Sequence, residues 1–100
     1  MIIGTHKTSV RENNNGDIVI RYHDTNVVTI DQDRMYVTLQ TDGHYTNTTK
    51  KRMNQASKQF GLGFKVFQKN FDWYIRIGDK VHYINEDPYK INIRTGEVNV

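Results

Sequence analysis

Hydrophobic and polar residues alternate along several short segments of the chain, which is the pattern of half-buried β-strands. In the first segment Ile18, Ile20 and Tyr22 would share one face of a strand. The alternation returns over Val27 to Ile30 and over Met35 to Gln40, with polar turn residues between the segments. Successive strands joined by short polar turns predict an antiparallel meander.

A helix of about three turns is predicted from Thr49 to Phe60. Asn47 or Thr48 would cap its N-terminus, because both side chains can accept a hydrogen bond from a backbone N–H group of the first turn. Gly61 would end the helix in the left-handed conformation that glycine tolerates best. The apolar side of this helix is narrow and consists of Met53, Ala56 and Phe60.

Strand patterns return after the helix. They cover Phe64 to Gln68, Trp73 to Ile77 and Lys80 to Ile84. Tyr89 to Ile93 together with Glu97 to Val100 would add a last hairpin or an arm. The order of strands, one helix and further strands predicts an α+β fold, in which an antiparallel meander sheet carries the helix on one face. The alternative is a small open barrel with the helix at one end.

Length and composition limit what the chain can be. Its 100 residues predict a single domain over 1–100, with the polar residues 1–17 as a loose N-terminal segment. Hydrophobic residues make up 36%, so the core should be thin, although the 11% of aromatic residues each bury a large area. The absence of cysteine excludes disulfides, thiol catalysis and cysteine-bound metals. No apolar run is long enough to cross a bilayer, so no membrane partner is expected.

Charge is distributed unevenly along the sequence. From Gly43 to Phe71 there are six basic residues and no acidic one, a charge of +6. The rest of the chain has 8 basic and 11 acidic residues, which reduces the net charge of the protein to +3. Such an asymmetry indicates an anionic partner.

The start of the predicted helix is the first candidate for binding that partner. Lys50, Lys51 and Arg52 stand where the helix dipole favours acidic residues. A bound phosphate would reverse this repulsion, because free backbone N–H groups, threonine hydroxyls and cations would converge on it. We therefore predict a ligand site formed by Tyr45, as a stacking ring, and by Thr48, Thr49, Lys50, Lys51, Arg52 and Asn54. The alternative is that Thr48 caps the helix and the lysines are only solvated.

A second basic surface is predicted on the strands after the helix. Phe67 and Tyr74 fall on strand faces that point away from the apolar residues of the same strands. Lys65, Lys69 and Arg76 share those faces, so cations and rings together would form a stacking surface for nucleic acid. The alternative is that these rings belong to the core.

Patterns of catalytic or metal-binding residues are not found in the sequence. The four histidines have no metal-ligand spacing, and no serine lies in a Gly-x-Ser-x-Gly motif. Gly61-Leu62-Gly63 lacks the third glycine of a dinucleotide-binding motif. The sequence therefore predicts a protein that is not an enzyme and that uses no cofactor or metal.

Several segments of the chain together resemble one known family. The most specific is Thr46-x-Thr48-Thr49-Lys50-x-Arg52-Met53-Asn54-Gln55, and the others are His23–Thr29, Val37–Leu39, Phe60–Lys69 and Trp73. This set, within residues 20–77, resembles a family of small tailed-bacteriophage proteins of unassigned function. The segment that precedes the helix in that family has two glycines and an aromatic residue, and this chain keeps Gly43 and Tyr45. The resemblance implies a phage protein that acts in the host bacterial cytoplasm, and it carries over no catalytic residue.

The charge pattern and the resemblance lead to one functional expectation and its alternatives. We expect binding of a phosphate-bearing ligand at the helix start, either single-stranded nucleic acid or a nucleotide such as a host defence signal. The alternative is a small phage protein that inhibits or redirects a host protein through protein–protein contact. A minor virion component is a third interpretation.

Overall fold

The computed structural model describes residues 8–43, 46–84 and 88–97. Within these ranges the chain forms one α-helix and eight β-strands, which are arranged in two antiparallel sheets. The α+β class predicted from the sequence is confirmed. The elements in chain order are β1 Thr8–Glu12, β2 Ile18–Tyr22, β3 Thr25–Ile30, β4 Tyr36–Leu39, α1 Asn47–Phe60, β5 Phe64–Lys69, β6 Asp72–Ile77, β7 Lys80–Tyr83 and β8 Tyr89–Asn92.

The strands before the helix and those directly after it belong to different sheets. The larger sheet has the order β1-β2-β3-β4-β8, and the smaller sheet is the meander β5-β6-β7. Strand β8 returns to the larger sheet and pairs with β4, so that Ile91 lies opposite Val37. The first part of the predicted last hairpin or arm is therefore an edge strand of the larger sheet, and residues 98–100 lie outside the described residues.

Strand β1 corrects the prediction of a loose N-terminal segment for residues 8–12. This strand pairs with β2 along its whole length, and Val10 lies opposite Ile20. Most of its side chains are exposed, because an edge strand has few neighbours to cover it. A turn follows it, in which the side-chain oxygen of Asn13 accepts hydrogen bonds from the backbone N–H groups of Asn15 and Asp17, at 2.9 and 3.0 Å.

A β-bulge lies in the middle of the larger sheet. The register of β2 and β3 shifts between Ile20 and Arg21, so that Ile20 lies opposite Val28 and Arg21 opposite Asn26. Val27 is therefore the extra residue of the bulge. Val27 and Val28 are both buried, although neighbours in a regular strand would point to opposite faces.

One core joins the two sheets and the helix. The helix packs mainly against β5 and β3, and its Met53 and Ala56 are fully buried, as predicted. Phe60, the third residue of the predicted apolar stripe, is only partly buried and packs at the border of the core. The buried residues of the two sheets include Ile20, Val28, Ile30, Val37, Leu39, Phe64, Val66, Trp73, Ile75 and Ile91.

The helix begins earlier than its sequence suggested. Its first residue is Asn47, and Thr46 is the N-cap, with an extended backbone at φ −109° and ψ 160°. The prediction that Asn47 or Thr48 caps the helix is therefore wrong. Gly61 ends the helix with φ 63°, which confirms the predicted left-handed C-cap.

Candidate functional site

The hydroxyl groups at the helix start are used within the helix cap. Thr46 Oγ1 accepts a hydrogen bond from the backbone N–H of Thr49 at 3.2 Å and lies 3.1 Å from Thr49 Oγ1. Thr49 is 1% exposed. The Thr49 hydroxyl, which the sequence suggested as a ligand contact, therefore belongs to the cap.

The cations of the predicted site lie further along the helix than expected. Because the helix begins at Asn47, Lys50 and Lys51 come after the residues with free N–H groups. Lys50 Nζ is 3.3 Å from Gln68 Oε1 and 5.9 Å from the centre of the Trp73 ring, so its side chain lies along β5 and β6. Lys51 is exposed, and Thr48 is half-buried.

Arg52 is buried and connects the helix to the first two strands. Its Nε donates to Thr8 Oγ1 at 3.0 Å, and its Nη1 donates to Gln55 Oε1 at 3.1 Å. The guanidinium lies 5.7 Å from the centre of the Tyr22 ring. A side chain held on three sides stabilises the fold and leaves little of the cation for a ligand.

Asn54 binds the backbone of β5, which is an edge strand of the smaller sheet. Its amide Nδ2 donates to the carbonyl of Val66 at 2.8 Å, and its Oδ1 accepts from the N–H of Val66 at 2.7 Å. One turn further on, Ser57 Oγ donates to the carbonyl of Phe64 at 2.6 Å and accepts from the Phe64 N–H at 3.0 Å. The helix thus covers the edge of β5 that no strand pairs with. Asn54 has a structural role. Sequence reasoning missed Ser57, because the sequence around a helical serine does not indicate that its hydroxyl will bind the backbone of a strand.

The cleft at the helix start contains carboxylates. It has a volume of about 460 Å³ and lies between the β2–β3 turn, the loop after β4 and the N-terminus of α1. Asp24 and Asp42 line it together with His23, Thr46 and Thr49. Two carboxylates disfavour a phosphate there, because they would repel it. Tyr45, the predicted stacking ring of this site, lies outside the described residues.

The second predicted surface forms one face of the smaller sheet. The register pairs Lys65 with Arg76 and Phe67 with Tyr74, and Lys69 follows Phe67 on the same side of β5. The opposite face turns apolar side chains into the core. All five residues predicted for this surface are therefore together on what we call the outer face.

Three rings lie side by side across the outer face. The ring centres of Phe67 and Tyr74 are 5.6 Å apart with an angle of 19° between their planes, and those of Tyr74 and Tyr83 are 5.5 Å apart. Phe67 and Tyr74 are half-buried, and Tyr83 is 51% exposed. We call these three residues the aromatic row. Tyr83 was missed by the sequence reasoning, although its alternation in β7 was a usable signal.

Three cations share the outer face with the aromatic row, and Lys58 lies beside them on α1. We call these four residues the basic border: Lys58, Lys65, Lys69 and Arg76. Lys58 of α1 and Lys65 of β5 line one shallow depression between the helix and the sheet. Lys65 and Arg76 lie directly opposite each other on neighbouring strands. Like charges in that position destabilise a sheet, so folding alone does not account for them.

The part of the chain that the structure describes contains neither a candidate metal site nor a membrane-spanning helix. No group of three or more histidine, aspartate or glutamate residues could hold a metal ion there. No helix among the same residues has the length and apolar character needed to cross a membrane.

Comparison with known proteins identifies one relationship. The family model described as Kyanoviridae Gp96 protein matches residues 3–96. The matched region includes all eight strands and the helix. No curated protein and no solved structure matches the chain.

Proposed function

We propose that this protein, which belongs to the Kyanoviridae Gp96 family and is therefore a phage protein, binds single-stranded nucleic acid through the outer face of its smaller sheet. The observation that carries the proposal is the aromatic row, which lies among the cations of the basic border. We further propose that it acts in the host bacterial cytoplasm, as a binding protein and not as an enzyme.

Stacking on the aromatic row would provide the contacts to the bases. Aromatic side chains on a sheet accept bases of any sequence, since every base has a π-face. The row crosses three strands, and with a strand spacing of about 4.8 Å it extends over roughly 10 Å. That extent exceeds one base, which favours a single strand over a mononucleotide.

The basic border would provide the contacts to the phosphates. Lys65 and Arg76 repel each other across β5 and β6, and an anion bound between them would remove that repulsion. Lys58 extends the positive surface onto the helix. A single strand could therefore place its bases on the row and its backbone along these cations.

The outer face is a better candidate than the helix start for the phosphate-bearing ligand that the sequence predicts. At the helix start, Thr46 and Thr49 bind each other, and Asp24 and Asp42 line the cleft. On the outer face, the described side chains include three cations and three rings, with Lys58 beside them on α1 and Asp72 opposite Lys69. The helix-start motif that the sequence analysis found is thus used mainly to hold α1 in place.

Fluorescence anisotropy with a labelled oligothymidine of about ten nucleotides tests the proposal. The parent protein should bind, and Tyr83→Ala should weaken binding about tenfold, because one stacking contact is lost. Raising the salt from about 50 to about 200 mM should weaken binding by the parent about fiftyfold if the four border cations contact phosphates.

A matched control is available on the larger sheet. Lys90 Nζ lies 4.5 Å from the centre of the Tyr36 ring, so this pair also combines a cation with an aromatic ring. Tyr36→Ala and Lys90→Ala should leave oligonucleotide affinity unchanged. Two results would contradict the proposal: no binding of the oligonucleotide by the parent, or an affinity that does not depend on the salt concentration. If a pull-down from bacterial lysate then retained one protein after nuclease treatment, the alternative of a host-protein inhibitor would be favoured.

A further inference from the structure

The turn between β5 and β6 contains a phenylalanine, Phe71, whose side chain is almost fully exposed to solvent. Asn70 and Phe71 form this two-residue turn, with φ values of 52° and 71°. Two positive φ values in succession are typical of a type I′ hairpin turn. Phe71 is 92% exposed, so its ring contributes almost nothing to the core.

Phe71 is an unfavourable residue for this position. The second position of a type I′ turn is best filled by glycine, because a side chain with a Cβ is strained at positive φ. In the turn between β6 and β7, the positive φ of 58° belongs to a glycine, Gly78, which is the first of the two turn residues. Phe71 combines backbone strain with an exposed apolar ring, and neither feature favours folding. Such a residue at a surface turn indicates a function in binding.

We propose that Phe71 is a fourth stacking contact for a single strand that lies on the aromatic row. The inference rests on the proposed function, because it extends the same binding surface. Phe71 is on the same hairpin as Phe67 and Tyr74, and three residues separate it from Phe67 in sequence. A strand rises about 3.3 Å per residue, so the turn begins roughly 10 Å beyond the row. An oligonucleotide that reaches Phe71 must therefore be longer than one that only covers the row.

The segment that leads to the turn is basic, whereas the turn itself has balanced charges. Phe71 ends the segment from Gly43 that carries a charge of +6 without an acidic residue, and this segment includes α1 and β5. At the turn itself, Lys69 lies opposite Asp72, so the local charges balance. The ring of Phe71, and not a charge, is therefore expected to provide the contact at this end.

The test measures the affinity of Phe71→Gly for oligothymidines of two lengths, about four and about twelve nucleotides. Glycine suits the positive φ, so the variant should melt at or above the temperature of the parent. Its affinity for the longer oligonucleotide should fall about tenfold, and its affinity for the shorter one should not change. The salt dependence should equal that of the parent, because no phosphate contact is lost. Phe71→Tyr, which keeps a ring, should retain the affinity of the parent for the longer oligonucleotide.

The outcomes separate this inference from the proposed function. Equal affinity of Phe71→Gly and the parent for the longer oligonucleotide overturns the role of Phe71, while binding that depends on Tyr83 would still support the aromatic row. If the parent binds neither length, the proposed function itself fails. If Phe71→Gly instead releases a protein partner that the parent retains after nuclease treatment, Phe71 is an anchor for a protein, which also overturns the inference.

Discussion

At the scale of single residues, one amide side chain satisfies both backbone groups of Val66. Asn54 donates to the carbonyl and accepts from the N–H, and Ser57 does the same for Phe64. Backbone groups at a sheet edge are costly to bury without partners. These two side chains therefore let the helix lie against β5 where a further strand would otherwise pair.

Asn54→Ala should lower the free energy of unfolding by about 2–3 kcal/mol, because it leaves both polar groups of Val66 without their side-chain partner. Urea denaturation followed by circular dichroism measures the change. Lys51→Ala is the matched control, since Lys51 is exposed on the same helix and should change stability by less than about 0.5 kcal/mol. An Asn54→Ala variant as stable as the parent would show that Asn54 is free for another role.

At the scale of elements, the helix makes two different contacts. Met53 and Ala56 enter the core between the sheets, while Asn54 and Ser57 bind the edge of β5. Phe60, which the sequence placed with the core residues, lies at the border, where the Arg34 guanidinium is 6.0 Å from its ring centre. The two contacts lie side by side on the helix, since Met53 and Ser57 are one turn apart, and the apolar stripe is correspondingly narrow.

Met53→Ala should destabilise the protein more than Phe60→Ala does. Met53 is 1% exposed, and truncation at such a site costs about 2–5 kcal/mol. Truncating a fully buried phenylalanine to alanine costs about 3–5 kcal/mol, and the partial burial of Phe60 should reduce this loss of stability. Thermal and urea unfolding of both variants gives the comparison. The reverse order would mean that Phe60, and not Met53, seals the helix onto the sheets.

At the scale of the whole molecule, the basic segment of the sequence becomes one continuous region. Residues 46–71 of this segment form α1, β5 and their connections, and the helix lies directly beside β5. Lys50 donates a hydrogen bond to Gln68 across this contact, and Lys58 and Lys65 line one depression between the helix and the strand. The charge asymmetry along the chain is therefore also an asymmetry in space.

Two double variants test where an anion binds, at equal net charge. Lys50→Glu with Lys51→Glu and Lys65→Glu with Arg76→Glu each lower the net charge from +3 to −1. The pair on the outer face should weaken oligonucleotide binding by at least about thirtyfold, and the helix pair should weaken it clearly less. Anisotropy measures binding, and thermal unfolding checks that both variants fold. A larger loss of affinity from the helix pair would mean that the anion binds at the helix start.

Much of the local structure could be predicted from the sequence. Strand β2 was predicted with the bounds that the structure shows, and the smaller sheet's strands differ by one residue at one end. The shared face of Lys65, Phe67 and Tyr74 also followed from alternation alone. β1 was missed, because an edge strand with exposed side chains has no buried face to produce a pattern.

The sequence by itself determined the α+β class, the helix with its C-cap at Gly61, and the outer face of the smaller sheet. These features depend on periodicity and on residues close together in the chain. Only the tertiary structure decided that the strands divide into two sheets, that β8 pairs with β4 and that carboxylates line the cleft at the helix start. It also decided that Asn54 binds Val66 and that Tyr83 completes the aromatic row. Each of these depends on contacts between residues distant in sequence. A local pattern of residues does not indicate which distant segment will pack against it.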